Sequence, residues 1–79
     1  MEEISIRGEM IRLGQLLKLA GAIDSGAEVK PLLAAGKVTV NGVAESRRGR
    51  QLHPGDIVGA AGRELRLVQA GGAPDRELG

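Results

Sequence analysis

The chain opens on Glu3-Ile4-Ser5-Ile6, where polar and apolar side chains alternate, a period of two that predicts a short strand ended by Gly8. The period then changes. Leu13, Leu16, Leu17 and Ala20 fall at i, i+3, i+4 and i+7, which lays one aliphatic stripe along a helix and turns Lys18 away from it. Gly21 is placed to close that helix in a left-handed cap. Val29, Leu32, Leu33 and Gly36 repeat the spacing, and Ser25 followed three residues later by Glu28 predicts a capping box at the start of a second helix. Counted from there, Pro31 stands at the sixth position, where it removes a backbone hydrogen bond and crowds the carbonyl of Ala27. A kink, or a helix that restarts at Pro31, is the expectation.

Beyond Gly36 the period returns to two, with Val38 and Val40 on one face and Lys37, Thr39 and Asn41 on the other. Asn41-Gly42 is a strong hairpin signal, because a two-residue type I′ turn needs positive φ at both central positions. Val43 and Glu45 begin the return strand, and Arg47-Arg48-Gly49-Arg50 follows as a loop. Leu52 and Ile57 flank a turn at His53-Pro54-Gly55-Asp56, and Ile57-Val58 with Leu65 to Val68 predicts a last hairpin around Ala61-Gly62. Residues 1–69 read as one domain; residues 70–79 carry no periodic apolar face and read as a flexible tail. The order predicts an α+β fold, two N-terminal helices packed on a small, twisted, mostly antiparallel sheet.

Composition narrows what such a domain can do. The 79 residues include no Phe, Tyr or Trp, so the core must be aliphatic. A chain of this length hides only about 60% of its unfolded surface, so each buried Leu, Ile or Val counts. Cysteine is absent, which excludes a disulfide framework, a thiolate nucleophile and a cysteine-ligated metal, and fits a reducing, cytoplasmic setting. The acidic start Met1-Glu2-Glu3 does not read as a signal peptide. No stretch approaches the length of about 18 apolar residues at which a membrane span is read, so no membrane partner is expected.

The net charge of +1 conceals an asymmetry. Residues 11–50 hold seven basic side chains against three acids, while residues 1–10 and 51–79 are each slightly acidic. For a polyanionic partner, that concentration matters more than the total.

Candidate chemistry is sparse. His53 lies in a turn, Ser25 is explained by capping, and neither a glycine-rich phosphate loop nor a metal-ligand spacing occurs. No catalytic residue, cofactor, metal or small-molecule substrate is expected. The basic middle points elsewhere: Lys18 and Lys30 project from the helices, Lys37, Thr39 and Asn41 line the polar face of the hairpin, and Arg47, Arg48 and Arg50 follow it. Converging, they would form one positive surface. Without aromatic side chains it has no platform for stacking unpaired bases, so contacts to phosphate and the shape of a folded RNA would carry recognition.

The run Ile11-Arg12-Leu13-Gly14-Gln15-Leu16-Leu17-Lys18, then Gly21, Ser25, Leu32-Leu33, Gly36-Lys37-Val38-Thr39-Val40-Asn41-Gly42, Arg50 and Pro54-Gly55-Asp56-Ile57, resembles the S4-like RNA-binding domain first described in small-subunit ribosomal protein S4. The resemblance covers about residues 10–58. It implies a helix-helix-hairpin RNA-binding motif, as in ribosomal proteins, pseudouridine synthases and tyrosyl-tRNA synthetases, directed at structured ribosomal or transfer RNA, with ribosomal particles as possible company. By position it implies an RNA-facing surface at Arg12, Lys18, Ser25, Lys30, Lys37, Thr39, Asn41, Arg47, Arg48 and Arg50. Gly26 stands where such domains commonly carry an arginine, and Pro31 where they rarely carry a proline.

A β-grasp sulfur carrier is the alternative, since such proteins share a Val-Asn-Gly strand, a Gly-Asp turn and a Gly-Gly ending. Gly71-Gly72 fits that ending only after removal of Ala73 to Gly79, which would free the carboxylate for activation.

Overall fold

The computed structural model describes residues 1–23 and 26–70. Along it run β1 (Glu2–Ile6), β2 (Ile11–Arg12), α1 (Leu13–Leu19), a 3-10 turn (Gly26–Glu28), α2 (Val29–Ala34), β3 (Thr39–Val40), β4 (Val43–Ala44), β5 (Gln51–Leu52), β6 (Ile57–Ala60) and β7 (Arg63–Gln69). The Ser25 cap, the Gly71-Gly72 ending and all of the expected tail beyond Ala70 lie outside the described residues.

The expected architecture needs correction. Among the described residues the molecule is mostly sheet, a mixed five-stranded sheet in the order β1-β7-β6-β3-β4 plus a two-stranded sheet of β2 and β5, with two short helices of seven and six residues. Two N-terminal helices packed on a sheet do not describe it, although every pairing among these residues but that of β1 with β7 is antiparallel. One reason is β1, which comes before either helix and pairs in parallel with β7, Glu2 opposite Leu65 through Ile6 opposite Gln69. That pairing joins the two ends of the fold, and no local pattern announces it. The second helix also differs from its expected bounds: α2 starts at Val29, behind the 3-10 turn, so that Pro31 falls in its first turn. The amides there have no intrahelical partner in any case, so the ring costs no hydrogen bond and the expected kink has no cause.

The local patterns placed the helices and the two tight hairpins, but not the two-stranded pairing of Ile11–Arg12 with Gln51–Leu52. Gly21 (φ 73°) and Gly36 (φ 72°) follow the two helices in the left-handed region. Asn41 (φ 53°) and Gly42 (φ 85°) make the tight turn between β3 and β4, and Ala61 (φ 54°) and Gly62 (φ 75°) make its counterpart between β6 and β7. The aliphatic stripe of α1, Leu13, Leu16 and Leu17, is fully buried in one cluster with Val29 and Leu33 of α2 and with Ile6, Val38, Val40, Leu52, Val58 and Leu67. Burying a side chain of this type contributes about 1.5 to 3 kcal/mol, so this shared cluster is the main favourable contribution to folding.

Candidate nucleic-acid interface

The β3–β4 hairpin delivers Glu45 to the head of the arginine loop. Its backbone N–H donates to the Val38 carbonyl at 3.0 Å, which turns the side chain inward, and the residue is only 8% exposed. There the carboxylate becomes the centre of the loop. Oε2 accepts from the backbone N–H groups of Ser46 and Arg47, both at 3.0 Å, and from Arg47 Nε at 3.1 Å. Oε1 accepts from Arg47 Nη2 at 3.3 Å and from Arg50 Nη1 at 2.8 Å. The Arg47 side chain first, then its backbone N–H and the Arg50 guanidinium, outweigh the cost of desolvation and hold the Glu45 carboxyl down at about 2.

The same loop is fastened to the start of α1. Leu13 N–H donates to the Arg50 carbonyl and Gly14 N–H to the Arg48 carbonyl, both at 2.9 Å, and Arg12 Nη1 reaches the Gly49 carbonyl at 3.3 Å. Two of the amides that a helix start leaves without intrahelical partners are thereby satisfied. The loop lies close to Gly14, where a Cβ would stand in ordinary contact at 3.5 Å from the Arg48 carbonyl oxygen and 3.7 Å from its Cβ. On the flank of α1, Gln15 Oε1 accepts from the Arg12 backbone N–H at 3.2 Å.

This docking brings together part of the expected surface. A groove of about 320 Å³ runs between α1, Val29 of α2 and the loop, with Arg12, Lys18 and Arg48 on its walls. Across Gly49 lies a wider depression of about 710 Å³ that holds Arg47 and Arg50 together with Gln51, His53 and Asp56. Five of the expected cations thus stand in two adjoining hollows.

The other expected residues are placed differently. Lys37 lines a separate, mainly apolar hollow beside Ala22, Ile23, Pro31, Leu32 and Ala35. Lys30 is exposed on α2, and Ser25 lies outside the described residues. Thr39 is half-buried against the neighbouring strand, its Oγ1 2.6 Å from where a Cβ on Gly59 would sit. Asn41 is exposed, yet both ends of its amide are engaged: Nδ2 donates to Asp56 Oδ1 at 3.1 Å and Oδ1 accepts from Ile57 N–H at 3.0 Å. Asp56 Oδ2 also accepts from the His53 backbone N–H at 2.8 Å. Burial works against ionisation of Asp56, but the bonds from His53 and Asn41 prevail and keep its pKa below the usual carboxylate range.

Glu45, Gln15 and Asp56 are the residues that reading the sequence for cations missed. Glu45 had a signal in its spacing, two and five residues before Arg47 and Arg50, within reach of both in a tight loop. Among the described residues no group of three His, Asp or Glu side chains gathers as metal ligands, and no helix is long and apolar enough to cross a membrane.

With this geometry in hand, comparison with known proteins finds the S4 domain family matching residues 4–72. A Bacillus subtilis (strain 168) protein named "Probable ribosome maturation protein RlbA" is 53% identical over 55 residues, 70% of this chain and 78% of that one. An Escherichia coli (strain K12) protein named "Putative RNA-binding protein YbcJ" is 38% identical over 58 residues, 73% of this chain and 83% of that one.

Proposed function

The chain belongs to the S4 domain family, and on that premise we propose that it binds structured RNA of the ribosomal type through the surface formed by α1 and the loop from Glu45 to Arg50. The observation that carries this reading is the docking of the loop on α1, which sets Arg12, Lys18 and Arg48 around one groove and Arg47 and Arg50 around the next. With an aliphatic chain and no aromatic residue for stacking, these cations engage phosphates, and the fit of the two hollows to a folded backbone supplies selectivity. The name of the RlbA relative, which refers to ribosome maturation, favours ribosomal over transfer RNA as the target. The proposed role is binding without catalysis, and no step of chemistry is assigned to His53 or to any other residue. The family match is what favours RNA binding over the sulfur-carrier alternative, whose Gly71-Gly72 ending lies outside the described residues.

The test is a titration of structured ribosomal RNA fragments, with transfer RNA as comparison, across a series of salt concentrations. With about four to six phosphate contacts, the logarithm of affinity falls against the logarithm of salt with a slope of roughly −3 to −5. A variant with Arg47, Arg48 and Arg50 all changed to Ala loses most of that slope and binds far more weakly. Equal affinity of the two proteins would sink the site, and wild-type binding indifferent to salt would sink the function.

A further inference from the structure

The most acidic-looking feature of the basic surface is also its best-buried polar group. Glu45 is 9% exposed at its side chain, against 72% for Arg47 and 37% for Arg50, so an approaching polyanion meets the two guanidiniums and not the carboxylate beneath them. The bonds to Glu45 are also one-sided. Arg47 gives it the edge formed by Nε and Nη2, and Arg50 gives it Nη1. The remaining N–H groups, at Nη1 of Arg47 and at Nε and Nη2 of Arg50, make no hydrogen bond to Glu45. A guanidinium can serve two acceptors at once, one on each edge, and a fork held on one edge has its rotamers already fixed for the other.

Resting on the RNA-binding reading above, we propose that Glu45 is a positioning residue for RNA. Its buried carboxylate fixes Arg47 and Arg50 so that their free edges present a preformed phosphate site, and removing its negative charge weakens binding instead of strengthening it. Charge counting gives the opposite sign, since Glu45→Gln makes the loop more positive by one and would by attraction alone tighten the grip on a polyanion. Preorganisation opposes this. An arginine freed from Glu45 regains rotamer freedom that RNA binding must then remove, because the single acceptor oxygen of glutamine cannot serve both the Ser46 and Arg47 amides and the two guanidiniums.

The experiment compares wild type, Glu45→Gln and Glu45→Asp in salt titrations against a structured ribosomal RNA fragment, with melting curves to establish that each is folded. The expected result is a loss of affinity of about tenfold for Glu45→Gln, the scale of one charge-assisted contact, with a slope shallower by about 1. Glu45→Asp, which keeps the charge, recovers part of both. Should Glu45→Gln not fold, Arg47→Lys carries the test with Glu45 intact. Lysine keeps the charge but cannot give a paired edge to each of two acceptors, so it is expected to bind as weakly as Arg47→Ala. Glu45→Gln binding as tightly as wild type or tighter, or Arg47→Lys matching wild type, overturns the positioning role while leaving the RNA-binding reading in place. A wild type that shows no salt-sensitive RNA binding overturns both.

Discussion

At the scale of single residues, Glu45 ties the stability of the fold to the surface it presents. Its carboxyl, at about 2 in the folded chain against an ordinary 4.5, is depressed on folding. A depressed acid contributes stability that is complete above its unfolded value and is lost as pH falls through the folded one. The window therefore runs from 4.5 down to about 2. Asp56 and Glu2 are lowered in the same direction, Asp56 by the bonds from His53 and Asn41 that overcome its burial and Glu2 by the Arg63 side chain. The melting temperature is expected to hold steady above that window and drop within it, with a shallower drop in Glu45→Gln. Identical acid limbs for the two proteins would mean that Glu45 is not the titrating group. The spacing of Glu45 from Arg47 and Arg50 was visible in the sequence, but its burial was not, since an acid among arginines counts there as one solvated negative charge. Its burial depends on the Val38 carbonyl and on the loop folding back, both products of tertiary structure.

Among the elements, α1 and its loop form the unit on which the proposed binding depends, and Gly14 lies where they meet. A Cβ at that position would make ordinary contact with Arg48, at 3.5 and 3.7 Å, without overlap. Glycine inside a helix costs roughly 0.5 to 1 kcal/mol relative to alanine, so Gly14→Ala is expected to stabilise the protein by up to about that amount and to leave RNA affinity unchanged. Gly14→Ile puts a branched side chain into the groove that Gly14 lines with Arg12, Lys18 and Arg48, and is expected to lower affinity. Chemical denaturation and RNA titration of the pair check this, and a destabilised Gly14→Ala would show that the contact is tighter than the geometry implies. Element by element, the sequence was legible wherever a period or a turn signal was local. The stripe of α1, the glycine caps and both tight hairpins are where their residues put them. Pro31 misled because its effect depends on where α2 begins, and the start at Val29 moves it from an interior position to a harmless first turn.

Over the whole molecule, the parallel β1–β7 pairing both escapes a local reading and sorts the charges. Joining residues more than sixty apart requires the rest of the fold to be in place, so neither strand carries a sign of the other. Once joined, Arg63 donates to Glu2 at 2.7 and 2.8 Å, and Arg66 pairs with Glu3. These arginines lie at the β1 edge of the sheet, whereas the β4 edge leads into the loop that holds Arg47, Arg48 and Arg50. Counted along the chain all are basic, but their surroundings differ. At the β1 edge each guanidinium faces an exposed carboxylate that would repel a phosphate; beside α1, Arg47 and Arg50 pair with the buried Glu45 carboxylate, and the cations line hollows that hold one further acid, Asp56, engaged by Asn41 and the His53 amide. Arg63→Ala and Arg66→Ala are therefore expected to leave RNA affinity and its salt slope as they are, and to lower the melting temperature slightly. Arg48→Ala and Lys18→Ala are each expected to leave the fold intact and to reduce the slope by about 0.7 to 0.9, the signature of one lost phosphate contact. If all four lower affinity alike, attraction to RNA is a property of the whole surface and the groove beside α1 has no special part in it. If the effect is confined to Arg48 and Lys18, it is the closure of the sheet by its first strand that leaves one basic face for RNA.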